Sequence, residues 1–159
     1  MMLATAIVIV GLVAVAQLVP ASIMLNSNNR NDGTALVFAQ REMEAMREQP
    51  LYATFFTDSI GNVCQLGDPT QPNQLVGSPV VMFQGSPIID FTAGPVAGYN
   101  FTYIDPNDPE GTTTDVRWAV ITNVNPARVV ISRRILLGVF RRGMRSPTLP
   151  VTLDLMVEK

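Results

Sequence analysis

Acidic side chains crowd one turn-rich run, DPNDPEG, where Asp105, Asn107, Asp108 and Glu110 stand close together. Oxygen donors at such density are what calcium takes. Pro106 and Pro109 disturb the spacing of a calcium loop, so the run reads as an acidic surface turn. A second cluster, Arg41, Glu42, Glu44, Arg47 and Glu48, falls at helical spacing. Arg41 with Glu44, and Glu44 with Arg47, stand three residues apart, worth about 0.2–0.5 kcal/mol each to a helix. These charges read as a solvated helix face rather than as acid–base machinery. Cys64 is the single cysteine; it makes no intrachain disulfide and no zinc site. Nothing cationic beside it in the sequence would activate its thiol. Asn100-Phe101-Thr102 spells a glycosylation sequon, which makes Asn100 a candidate acceptor.

The 159 residues include no histidine, which removes the commonest general base and the commonest metal ligand. There is no Gly-rich phosphate loop and no Ser–Lys arrangement. The sequence therefore predicts a protein that is not an enzyme and that holds no cofactor or metal.

The elements around these residues begin with MMLATAIVIVGLVAVAQLVPASIML, an uncharged run from Met1 to Leu25. A bilayer core takes about 20 apolar residues in helical form, and length and composition both fit. Three readings compete. Ala14-Val15-Ala16 before Gln17 resembles a signal-peptidase site, but no Lys or Arg precedes the apolar run. A plain membrane anchor fits as well, with Arg30 the only nearby cation to orient it. The third reading is a rod packed among copies of itself, with Ile7, Val10, Gly11, Val15, Leu18 and Pro20 in the assembly core. Small residues permit close helix approach in either setting, and Pro20 bends or locally melts the helix.

NSNNRNDG, Asn26 to Gly33, is a predicted hinge. TALVFAQREMEAMREQP then reads as an amphipathic helix ended by Pro50, with Leu36, Ala39, Met43 and Met46 as the stripe that packs on a sheet. Residues 51–78 lose period and read as a long loop with one short strand. Strands follow: 79–84 and 87–93 around a Gly85-Ser86 break, 98–105, 116–124, 127–142 and 150–158. In 116–124, Val116, Trp118 and Val120 point one way and Arg117, Ala119 and Ile121 the other. The sheet's apolar face needs a cover, and the Leu36–Met46 stripe is the available one.

Charge is uneven along the chain. Through Asn125 there are four arginines and eleven acids, net −7; after it, seven cations and two acids, net +5; the sum is the overall −2. Arg133, Arg134, Arg141, Arg142 and Arg145 against Asp105, Asp108 and Glu110 are candidate charges between subunits of a head-to-tail polymer. Neutralisation within the chain, or edge arginines that block sheet aggregation, is the competing reading. Phe140 is the only aromatic in the Arg133–Arg145 stretch, so no specific nucleic-acid partner is indicated.

Three stretches resemble type IV pilin-like proteins of the minor-pilin and pseudopilin group. MMLATAIVIVGLVAVAQL, with Gly11 and the later Pro20, is similar to the apolar helix after the prepilin processing site. FAQREMEAMREQP is similar to the second half of the long pilin helix, and VRWAVITNVNPARVVISRRI to the late strands. The family's leading Phe, its Glu and its leader glycine do not precede Met1, which looks like the position just after that Glu. The resemblance implies an α+β pilin fold: a long apolar N-terminal helix, kinked or melted between Pro20 and Gly33, whose second half packs on a C-terminal antiparallel sheet. The division would be 1–25 as transmembrane or filament-core helix, 26–50 as hinge and amphipathic helix, and 51–159 as β-domain. It implies a structural subunit of an extracellular pilus or pseudopilus, with methylation, residence in the bacterial inner membrane before assembly, and partners among copies, other pilins and the assembly machinery. The alternative is a single-span membrane protein whose extracytoplasmic β-domain binds a ligand or partner.

Overall fold

A computed structural model describes residues 33–104, 112–142 and 150–158. The chain divides between Thr34 and Ala35 into two compact units, and the architecture below is that of the second.

Helix α1 is described over 33–47. It stops where Gln49 turns back, its backbone amide reaching Met46 O and its side chain Ala45 O, one residue before Pro50. Two three-residue strands follow, β1 (Phe55–Thr57) and β2 (Val63–Gln65), paired antiparallel. Then come β3 (Leu75–Gly77), β4 (Val80–Phe83), β5 (Ser86–Ile89), β6 (Asn100–Ile104), β7 (Thr113–Val124), β8 (Val130–Arg142) and β9 (Val151–Glu158). The main sheet runs β3-β7-β8-β9, with β6 also on β7, all antiparallel. β7 and β8 are its spine. Both are rich in β-branched residues, and Asn125 joins them: its backbone amide donates to Val129 O, and its carbonyl and side-chain Oδ1 accept from Arg128 and Val129. β8 runs unbroken through Arg133-Arg134 and Gly138.

Period-2 alternation gives the spine two faces. The inner face carries Val116, Trp118, Val120, Ile135, Leu137 and Val139 in one core cluster, with Ala35, Ala39, Met43 and Met46 of α1 laid over it. Trp118 has no exposed surface and meets Phe56 edge-on at 5.4 Å, with Tyr99 and Phe101 tilted against it. Burying an indole removes roughly 200 Å² from water, about 5 kcal/mol at 25 cal/mol per Å². The outer face is covered by the β4–β5 hairpin, which sets Ile89 on Ala119 and Leu136. Gln84 and Gly85 turn that hairpin with positive φ at both positions, as a tight two-residue loop needs.

The pilin-type α+β expectation is corrected. The described residues are 49% strand and 13% helix, with α1 a single short helix and no long apolar helix among them. The physical reason is that residues 51–78, read as a long loop with one short strand, supply three strands, while α1 ends at 47. No helix among the described residues is long and apolar enough to cross a membrane. The segment 1–32, with Ile7, Val10, Gly11, Val15, Leu18 and Pro20, lies outside the described residues.

Candidate functional site

The seam between α1 and the inner face is where the predicted packing residues meet. Ala39, Met43 and Met46 are buried there. Leu36 is not: it is 38% exposed and Ala35 takes the inward position. The buried stripe is therefore Ala35, Ala39, Glu42, Met43 and Met46, and it includes a charge that the sequence assigns to the wet face. Glu42 is 1% exposed, and neither carboxylate oxygen completes a hydrogen bond. Ser59 and Arg41 stand near enough to favour its charged form, and Asp58 disfavours it. Burial outweighs them and holds the Glu42 pKa above the ordinary carboxylate range. The 4-3-4 spacing of 35, 39, 42 and 46 was the available signal that Glu42 belongs to the stripe.

Under α1, Asp58 collects the backbone amides of Ile60 and Asn62 and the Asn62 side chain. The Cys64 thiol lies 3.8 Å from Asp58 Oδ2. Burial, with Asp58 and then Glu42, pushes the Cys64 thiol up to about 11, so at neutral pH it is protonated and inert.

Arg133 faces the same inner side as Ile135 and Leu137, and is 2% exposed. It is not a charge for a neighbouring subunit. Its guanidinium donates to Leu51 O and Ala53 O, fastening the exit of α1 to β8. Burial lowers its pKa. Arg134 lies on the outer face and grips Asp154 with two hydrogen bonds, 3.0 and 2.6 Å. Arg142 pairs with Asp115 at 2.7 Å, and Arg141 donates to Thr112 at 2.8 Å. Of these, Arg134–Asp154 and Arg142–Asp115 are ion pairs within the chain, whereas Arg141 meets a neutral hydroxyl. Arg145, Asp105, Asp108 and Glu110 lie outside the described residues. Asn100 opens β6, half-buried, paired in register with Arg117.

Arg117 was not singled out by sequence. It is 4% exposed, its guanidinium 4.9 Å from the Phe91 ring centroid, and it donates to Ala93 O at 2.7 Å and Asp90 O at 3.3 Å. It holds the segment after β5 on the outer face. Gly138 lets that segment close: a Cβ there would sit 2.6 Å from Ile89.

Residues from the apparent loop also build a polar recess of about 360 Å³, lined by Thr54, Phe55, Gln65, Asp68, Gln71 and Tyr99 among others. The Tyr99 hydroxyl is buried and completes no hydrogen bond. Burial, then Asp68, raises the Tyr99 pKa. No periodic pattern marks these positions in the sequence.

Comparison with known protein families, curated proteins and solved structures finds no match to this chain.

Proposed function

We propose that the chain is a non-catalytic structural subunit of an extracellular type IV pilus-like filament, its β-sheet head displayed by the apolar segment 1–25. The observation that carries this reading is the α1 seam. α1 follows within a few residues of the apolar segment in the sequence, and it is locked to the sheet by Ala35, Ala39, Met43 and Met46 and by Arg133 at its exit. Among the described residues the head thus begins with a helix packed on its own sheet. Burial of a 25-residue apolar run among copies stabilises a filament without covalent links.

The titratable groups support the same reading. Glu42, Asp58 and Cys64 are sealed under α1, and Arg117 and Arg133 are spent on backbone carbonyls. Groups so engaged are poor candidates for acting on a substrate.

Shearing cells that express the full chain, followed by immunogold labelling of the released material, tests the proposal. Labelled filaments are expected, and Val10→Asp should abolish them while leaving the head folded by circular dichroism. Retention of the chain in the membrane fraction, with no labelled filament, would give the function to the alternative, an anchored β-domain.

A further inference from the structure

The recess beside β2 is a built polar site whose capacity the fold does not use. Its parts are held from below. Trp118 Nε1 donates to Gln65 O at 2.9 Å, tying the wall of the recess to the core of the sheet. Gly98, at φ +83, leaves room for the Gln65 side chain, which a Cβ there would meet at 3.1 Å. Asp68 accepts from the Thr70 amide and hydroxyl, and from Gln71 Nε2 at 2.9 Å. That last bond fixes the Gln71 amide and turns its Oε1 into an oriented acceptor.

What remains unspent is a set of neutral polar groups: the Gln71 Oε1, the Gln65 side-chain amide, the Thr54 hydroxyl, and the buried Tyr99 hydroxyl, which completes no hydrogen bond. A buried polar atom without a partner marks a place where one is missing. At the rim Phe55 is 56% exposed, a flat apolar surface beside the polar cluster. The lining carries one carboxylate, Asp68, and no cation, so it disfavours anions. The volume, about 360 Å³, lies at the small end of ligand pockets.

We infer that this recess binds a single neutral, hydroxyl-rich ring, a monosaccharide unit, with its hydroxyls on Gln65, Gln71 and Thr54 and one apolar face against Phe55. Hydroxyls match this lining because each both donates and accepts. The assignment stands apart from the filament reading and is tested without it.

Trp118 is the only tryptophan and is bonded directly to the recess wall, so its emission reports occupancy. The full chain, in a detergent without sugar headgroups, is titrated with D-glucose, D-galactose, N-acetylglucosamine, ethanolamine and inorganic phosphate. At least one sugar should give a saturable change with Kd near about 1 mM. Gln71→Ala and Phe55→Ala, both at exposed positions, should each weaken it at least about fivefold with unchanged thermal midpoint. Three outcomes overturn the inference. One is no saturation at concentrations about a hundredfold above 1 mM. A second is a response confined to ethanolamine or phosphate. The third is sugar binding that both variants leave intact.

Discussion

The inner face of the sheet is sealed by α1 and an aromatic cluster around Trp118; the outer face is strapped by a hairpin of two four-residue strands. The inner core joins residues of α1, β1, β2, β6, β7 and β8, and includes the two most deeply buried charges, Glu42 and Arg133. The outer core is Ile89, Ala119 and Leu136, with Val80 and Phe91 at its margin. Beyond it the hairpin leaves Val81, Met82 and Phe83 exposed. Apolar area removed from water sets the scale of stabilisation, so the inner face holds the head together and the outer strap is held by a few contacts. The same sheet thus has one side with a large core and one with a small core.

Large-to-small substitutions should separate the two most sharply. Trp118→Ala leaves a cavity among three aromatic rings and should cost about 4 kcal/mol, against about 2 kcal/mol for Ile89→Ala, both read by urea denaturation. Equal losses would erase the distinction. Gly138→Ala forces a Cβ into Ile89 and the Phe91 ring, an overpacking cost of about 1–3 kcal/mol. Combining it with Ile89→Ala should recover only the share of that cost set by Ile89 Cγ1, since alanine keeps the Cβ that lies nearest and the Phe91 ring stays; strict additivity would place the whole strain on that Cβ and the ring. On the inner side, Arg133→Met strips two carbonyls at the exit of α1 of their donor and should cost about 2 kcal/mol.

Glu42 gives the inner face a pH signature. A carboxyl whose folded-state pKa lies above its unfolded value binds its proton more tightly when folded. Its contribution is complete below about pH 4.3, the ordinary Glu value, and is lost as pH rises from there to the folded-state value. The groups around it are Arg41 on its own helix, Ser59 and Asp58 in the turn after β1, and Cys64 of β2. Wild-type stability should therefore fall more steeply between pH 4 and 7, values about the ordinary Glu pKa and neutrality, than that of Glu42→Gln. Parallel curves would mean that the carboxyl is not carrying its burial. The smallest effect belongs to Arg134→Ala on the outer face. Its pair with Asp154 is 40% and 42% exposed, and such pairs contribute less than about 1 kcal/mol.

How much of this was legible follows the same division. β7, β8 and β9 are long, alternate cleanly and are bounded by Asn125-Pro126 and Pro150, so their period shows. α1 shows too, with Ala39, Met43 and Met46 buried as their spacing suggests and only Leu36 displaced by Ala35. Leu36 is the larger hydrophobe, yet Ala35 and Ala39 lie inward in the core cluster, since small side chains let a helix lie close on what it covers. Glu42 was assigned to water because charge is read before position. β1, β2 and β3 span three residues each, too short for any period, and the recess is built from that stretch. The long helix was expected from the apolar run together with a family resemblance, and the described fold is mostly β. The arginines of β8 looked like a surface because spacing alone does not say which face of a strand is covered.

The central claim is that α1 belongs to the head as one cooperative unit, while the β4–β5 hairpin is a strap. Amide hydrogen exchange on the full chain measures this directly. The amides of α1 from Ala39 to Met46 should open with the same free energy as those of β7 and β8, near the global unfolding value, and those of Val80–Ile89 should exchange well before them. Exchange of α1 as fast as the hairpin, with β7 and β8 still protected, would contradict the account.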